Sequence, residues 1–197
     1  VFVGLSGGVD SAVSAALLKK EGFNVRGIFM KCWSPESAGI EFSGECQWEK
    51  DQEDAMEVAS HIGISFETWN FEREYKKRVV DYMIDEYRRG RTPNPDIMCN
   101  QEIKFGLFFD RAIREGADFV ATGHYARVRE KGGHYALLRG KDPNKDQSYF
   151  LYRIREEHLA KTLFPIGELE KSEVRALAEE VKLPNAKRPD SQGICFV

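Results

Sequence analysis

Ser6-Gly7-Gly8-Val9-Asp10-Ser11 joins a short apolar run, Val1 to Leu5, to a segment with helical spacing. Two glycines at a strand-to-helix turn let the backbone approach an anion, and successive N–H groups with the helix N-terminus add partial positive charge. Ser6 and Ser11 contribute hydroxyl donors. Asp10 does not welcome a phosphate directly and reads as a Mg2+ partner or a cap. Neither G-x-x-x-x-G-K-[ST] nor G-x-G-x-x-G occurs, which moves ordinary γ-phosphate NTPases and simple Rossmann dehydrogenases out of first place. A phosphate cradle of another kind remains.

Nucleophiles must come from elsewhere. In Asn94-Pro95-Asp96-Ile97-Met98-Cys99-Asn100, proline rigidity would hold Asp96 and Cys99 on one turn, with the carboxylate as proton acceptor. Arg91 and Lys104 are near in sequence and would favour thiolate. Cys195 stands in a comparable setting, Asp190-Ser191-Gln192-Gly193-Ile194-Cys195, approached through Lys182, Lys187 and Arg188. A lone cysteine is ordinarily a small buried hydrophobe, but these two occupy polar, turn-like contexts. Cys32 and Cys46 flank a long irregular stretch and keep the ordinary reading. Asp96, Cys99 and Cys195 would also suit an iron–sulfur cluster, an alternative to thiol chemistry that the residues leave open.

The elements that must position these groups follow from periodicity. Val1 to Leu5 reads as a buried strand, Ser11 to Lys20 as a helix and Val25 to Met30 as the next strand, a βαβ start. Lys50 to His61 reads as a helix and Gly63 to Asn70 as a strand. Tyr75 to Tyr87 follows as another helical step. Pro93 and Pro95 forbid a continuous helix across Arg88 to Asn100, which is expected to be a rigid loop. Gln101 to Glu115 is helical, Asp118 to Gly123 a buried strand, and Tyr125 to Val128 with His134 to Leu138 a hairpin. Arg155 to Thr162 and Lys171 to Lys182 read as short amphipathic helices. The expected fold is α/β, one domain over residues 1–197.

A chain of 197 residues with 42% hydrophobic and 31% charged content can bury a globular core. Its formal charge of −3 argues against coating nucleic acid by bulk electrostatics, although a local basic site is compatible with it. No apolar run reaches the ~18 to 20 residues of a membrane span, so no membrane partner is expected. Four cysteines without a C-x-x-C pair, and no leader in front, suit a cytoplasmic location or, alternatively, the mitochondrial matrix. The apolar ends at Val1 and Val197 read as cropped. His61, His134 and His158 read as surface residues. Tyr149, Phe150 and Tyr152 read as base-stacking aromatics or as a buried rim.

The hexapeptide SGGVDS resembles the pyrophosphate loop of the PP-loop ATP pyrophosphatases, which split ATP into AMP and PPi. GLSGGVDSAVSA, FMKCW, GRTPNPDIMCNQEIKFG, ATGHYAR, KDQSYFLY, LFPIGELEK and DSQGICFV together resemble the successive motifs of the MnmA family of tRNA-specific 2-thiouridylases. That resemblance implies a doubly wound parallel sheet of the adenine-nucleotide α-hydrolase (PP-loop) type with a hairpin insertion, and further C-terminal domains outside this chain. It implies ATP- and persulfide-dependent 2-thiolation of the wobble uridine of tRNA. By position, Gly4, Leu5, Ser6, Gly7, Gly8, Val9, Asp10 and Ser11 would bind ATP phosphates, with Mg2+, and Met30 and Gly123 would line the adenosine site. Cys195 would receive the sulfur as a persulfide, Cys99 would release it by forming a Cys99–Cys195 disulfide, and Asp96 would be the acid/base. Asn94, Pro95 and Asp96 would meet the target base, and His124, Lys145, Asp146 and Gln147 the tRNA. An upstream cysteine desulfurase or sulfur-relay protein would supply sulfur. Cys32 stands where the family usually has asparagine. Other readings are a PP-loop enzyme using ammonia or an amine, which needs no cysteine, and a nucleotide sensor without turnover.

Overall fold

The computed structural model describes residues 1–35 and 47–190. Its centre is a five-stranded parallel sheet in the order β3-β2-β1-β4-β7, built from β1 (Phe2–Gly4), β2 (Arg26–Lys31), β3 (Ser65–Asn70), β4 (Val120–Ala121) and β7 (Thr162–Leu163). Side chains alternate across a strand, and here the alternation feeds two cores. Phe2, Ile28, Trp69 and Val120 join one cluster with Tyr75, Ile103, Phe108 and Phe109. Val1, Val3, Leu5, Phe29 and Ala121 join the other with Ala15, Leu18, Ala55 and Ala59. Both faces of β1 are therefore covered, which is why its sequence is a continuous apolar run.

Helices α1 (Val9–Lys20) and α2 (Gln47–Ile62) cover the second face. The first is covered by two composite helices. One runs through α3 (Glu72–Tyr75), a π-helical turn Lys76–Val80 and α4 (Asp81–Arg88). The other runs through α5 (Pro95–Met98), a π-helical segment Cys99–Phe108 and α6 (Phe109–Arg114). The hairpin is a separate antiparallel pair, β5 (Ala126–Lys131) and β6 (His134–Arg139). α7 (Glu156–Leu159) precedes β7, and α8 (Lys171–Glu180) packs Val174 and Ala178 with Val9 and Val13 of α1.

Three expectations are corrected. The Arg88–Asn100 loop ends early, because Pro95 occupies the first turn of α5, where a missing N–H costs nothing. The helix expected over Arg155 to Thr162 is only Glu156–Leu159, and Thr162 and Leu163 pair with β4 instead. His158 is buried, its ring 4.5 Å from that of Phe109. Among the described residues, no helix is long and apolar enough to cross a membrane.

Candidate functional site

The glycine loop leaves the carboxyl end of β1 and enters α1 directly, the place where open parallel sheets bind ligands. Gly7 has φ +77°, and a Cβ there would lie 2.5 Å from the Asp51 carbonyl oxygen, so the turn closes only with glycine. Ser11 Oγ donates to the Gly8 carbonyl at 3.1 Å and accepts from the Ser6 N–H at 3.2 Å. Gly8 caps α1 without any side-chain bond, which leaves the first-turn N–H donors of Val9 and Asp10 to an anion. Gly123, just past β4, presses on the same turn, since a Cβ on it would meet Ser11 N at 2.6 Å. Leu5 is buried in the second core, and Met30 abuts Gly4.

A strap formed by residues 183–190 lies over this loop. Asn185 Nδ2 donates to the Gly7 carbonyl at 2.7 Å, and Arg188 pairs with Asp51 and Asp54 of α2. Further along, Asp190 accepts from Lys145 at 2.7 Å, Lys171 at 2.8 Å and Arg175 at 2.5 Å. Lys171 Nζ also contacts both carboxylate oxygens of Asp10, at 2.8 and 2.9 Å, and the Tyr125 hydroxyl donates to Asp10 at 2.8 Å. Burial and the neighbouring Asp10 carboxylate push the Tyr125 phenol up, so it stays a donor. Burial pushes the Asp190 carboxyl up, but the bonds from Lys145 and Lys171 outweigh it and hold the group well below the ordinary carboxylate range.

The second half of the site is the start of α5. Asn94 Oδ1 accepts from the Ile97 N–H at 3.1 Å, a side-chain cap that fixes the turn carrying Asp96 and Cys99. Asp96 Oδ1 is buried without a hydrogen-bond partner among the described residues. Cys99, expected in a polar turn, is instead 2% exposed, begins the π-helical segment and belongs to the first core, with Met98 and Met30 packed against it. Arg91 does not serve it, being paired with Glu86. The positive charge of Lys104 acts on His124. Helices widen into π turns frequently at functional sites, and the widening here starts at Cys99.

The residues assigned to tRNA by resemblance have intramolecular roles as well. His124 is buried against Phe105 and Phe164, and Thr122 Oγ1 lies 2.8 Å from its Nδ1. Burial, aided by the Lys104 charge, holds its imidazole neutral, well below the ordinary histidine range. Lys145 reaches Asp190, Asp146 accepts from the Gly140 and Ser148 N–H groups at 3.0 and 3.1 Å, and Gln147 Oε1 accepts from the Tyr125 N–H at 3.0 Å. Pro95 is buried. Cys46 and Cys195 lie outside the described residues. Sequence reasoning missed Lys171 and Tyr125 as partners of Asp10. Lys171 follows Asp10 by 161 positions, and no local pattern joins them. Among the described residues, no group of three or more His, Cys, Asp or Glu side chains could hold a metal ion.

Known proteins similar to the whole chain exist. A protein of Christiangramia forsetii called tRNA-specific 2-thiouridylase MnmA is 57% identical over all of this chain and 50% of its own length. One of Geobacillus kaustophilus, called tRNA-specific 2-thiouridylase MnmA 1, is 56% identical over all of this chain and 52% of its own. The chain thus spans about half the length of the curated relatives it matches. Among solved structures, NMN synthetase from Francisella tularensis shares the fold at 18% identity, with a TM-score of 0.55 over 96% of this chain and 65% of that one. The family described as tRNA methyl transferase HUP domain matches residues 1–197, glycine loop and Asn94-capped turn included, and it is to this family that the chain belongs.

Proposed function

We propose that this chain is the ATP-using part of a tRNA-specific 2-thiouridylase. The observation that carries the reading is the presence of an uncapped glycine cradle at the end of β1 together with a capped turn that carries Asp96 and Cys99, Met30 abutting Gly4 and packing against the core that holds Cys99. Whole-chain likeness to relatives bearing that name supports it. The family's description mentions methyl transfer, but transferring a methyl group makes no use of a pyrophosphate cradle.

The uridine C2 oxygen attacks the α-phosphorus of ATP and pyrophosphate leaves, converting an oxide that departs poorly into AMP, which departs well. The Ser6–Ser11 loop holds the phosphates, and Gly123 and Met30 flank the adenosine. Asp96 manages the proton at the base. The terminal sulfur of a Cys195 persulfide then attacks C2 and expels AMP. Cys99 attacks the Cys195 sulfur, a Cys99–Cys195 disulfide forms, and the thiocarbonyl is released by exchange. Chain connectivity supports a Cys195 near the glycine loop: Asp190, which shares Lys171 with Asp10, precedes it by five positions, a reach of roughly 18 Å at most. Mg2+ would accompany the phosphates; at Asp10 it fits only if Lys171 moves away, because both carboxylate oxygens are engaged. A cysteine desulfurase or relay protein is the proposed sulfur source, and the cytoplasm or mitochondrial matrix the proposed setting.

The experiment is pyrophosphate release from ATP by the full-length protein. Release that requires a tRNA with an unmodified wobble uridine supports the reading, and ATP binding without turnover under those conditions rejects it.

A further inference from the structure

Outside the glycine loop, a cavity of about 540 Å³ opens beside the π-helical segment, with Arg78, Glu102, Asp110, Tyr152, Arg153 and Arg155 in its lining. Its volume lies within the ~300 to 1,000 Å³ of ordinary ligand sites. It adjoins the Asp96–Cys99 turn, since Arg153 contacts the Met98 sulfur at 3.5 Å and Asn100 Nδ2 donates to the Phe150 carbonyl at 3.3 Å.

Two features of the lining ask for the same kind of occupant. Tyr152 is 65% exposed, an unusual display for a large aromatic ring. Arg153 and Arg155 are exposed at the rim, Arg155 in an exposed ion pair with Glu157 at 3.1 Å, and the lining carboxylate Glu102 is itself paired with Arg78 at 3.1 Å. A nucleotide offers a flat π face for the tyrosine and an anion for the arginines.

We propose that this cavity seats the nucleotide of the RNA strand next to the base under reaction, stacked on Tyr152 with its phosphate against Arg153 and Arg155. The proposal rests on the RNA reading above and adds a second grip to it. This grip sets where the strand lies, so that the target base alone enters the Asp96–Cys99 turn.

The test uses the full-length protein and a synthetic anticodon stem-loop RNA with an unmodified wobble uridine. Tyr152→Ala is expected to weaken RNA binding about ten-fold, within the range of one base–aromatic stack, and Tyr152→Phe to restore it. ATP affinity, which reports an intact cradle, should stay within two-fold in both. Arg155→Gln should lower the slope of log affinity against log salt by about 0.7, one single-strand phosphate contact. RNA binding by Tyr152→Ala within two-fold of the parent, or an unchanged slope in Arg155→Gln, overturns the proposal while leaving the thiolation reading intact. Absence of RNA binding by the parent protein rejects both.

Discussion

Replacing Lys171 by methionine probes the link between the glycine loop and the strap. Methionine keeps most of the volume and removes only the charge and donors. Lys171 is buried to 15% side-chain exposure and makes three close contacts, two with Asp10 and one with Asp190. Removing one partner of a fully buried pair costs about 3 to 5 kcal/mol. The carboxylates here are 32% and 30% exposed, and Tyr125, Lys145 and Arg175 remain bonded to them, which lowers the expected loss to about 2 kcal/mol. For a chain of this size that is about 4 to 8 °C in Tm. The pH dependence has a definite sign. Asp190 has a folded pKa held below its free value of 3.8, so its contribution is complete above that value and is lost as pH falls below it. Lys171→Met weakens that depression, and the stability gap between parent and variant should narrow from pH 7 to pH 3. Urea unfolding at both values measures it. Equal stability at pH 7, or a gap that widens in acid, refutes the reasoning.

Three further outcomes are expected. Gly7→Ala places a Cβ 2.5 Å from the Asp51 carbonyl at φ +77° and should cost at least about 2 kcal/mol with at least a ten-fold loss of ATP affinity, read by denaturation and titration calorimetry. Asn94→Ala removes the cap of α5 and should lower stability by about 1 kcal/mol while slowing RNA-dependent pyrophosphate release, read by thermal melting and a phosphate assay. His124→Gln should flatten the stability profile below pH 6.5. The folded imidazole stays neutral there while the unfolded one takes up a proton, so the parent loses up to about 1.4 kcal/mol per pH unit, measured by urea titration between pH 7 and pH 5.

The β1–α1–β2 start was legible because burial on both faces leaves a mark that local composition carries: an apolar run, then glycines, then helical spacing. β7 was not, since two residues paired to β4 have no period to detect. The turn at Asn94 was read as rigid for the right reason, but Pro95 both ends the loop and opens a helix, and only the coordinates show the helix winning. Cys99 shows a different limit. The stretch around it carries Asn94, Asp96, Asn100 and Gln101, whereas in space it belongs to a core that also holds Phe2, Trp69 and Val120 from distant strands. The same holds for Asp10, whose cation comes from α8. Charge pairs across the whole fold leave no spacing behind.

The most direct test of the account is sulfur transfer to a tRNA transcript by the full-length protein loaded with a sulfane-sulfur donor, comparing Cys99→Ser and Cys195→Ser with the parent. The account predicts that Cys195→Ser yields no 2-thiouridine, and that Cys99→Ser halts with the RNA joined to Cys195 through a disulfide that added thiol cleaves. Undiminished 2-thiouridine formation by both variants would contradict it.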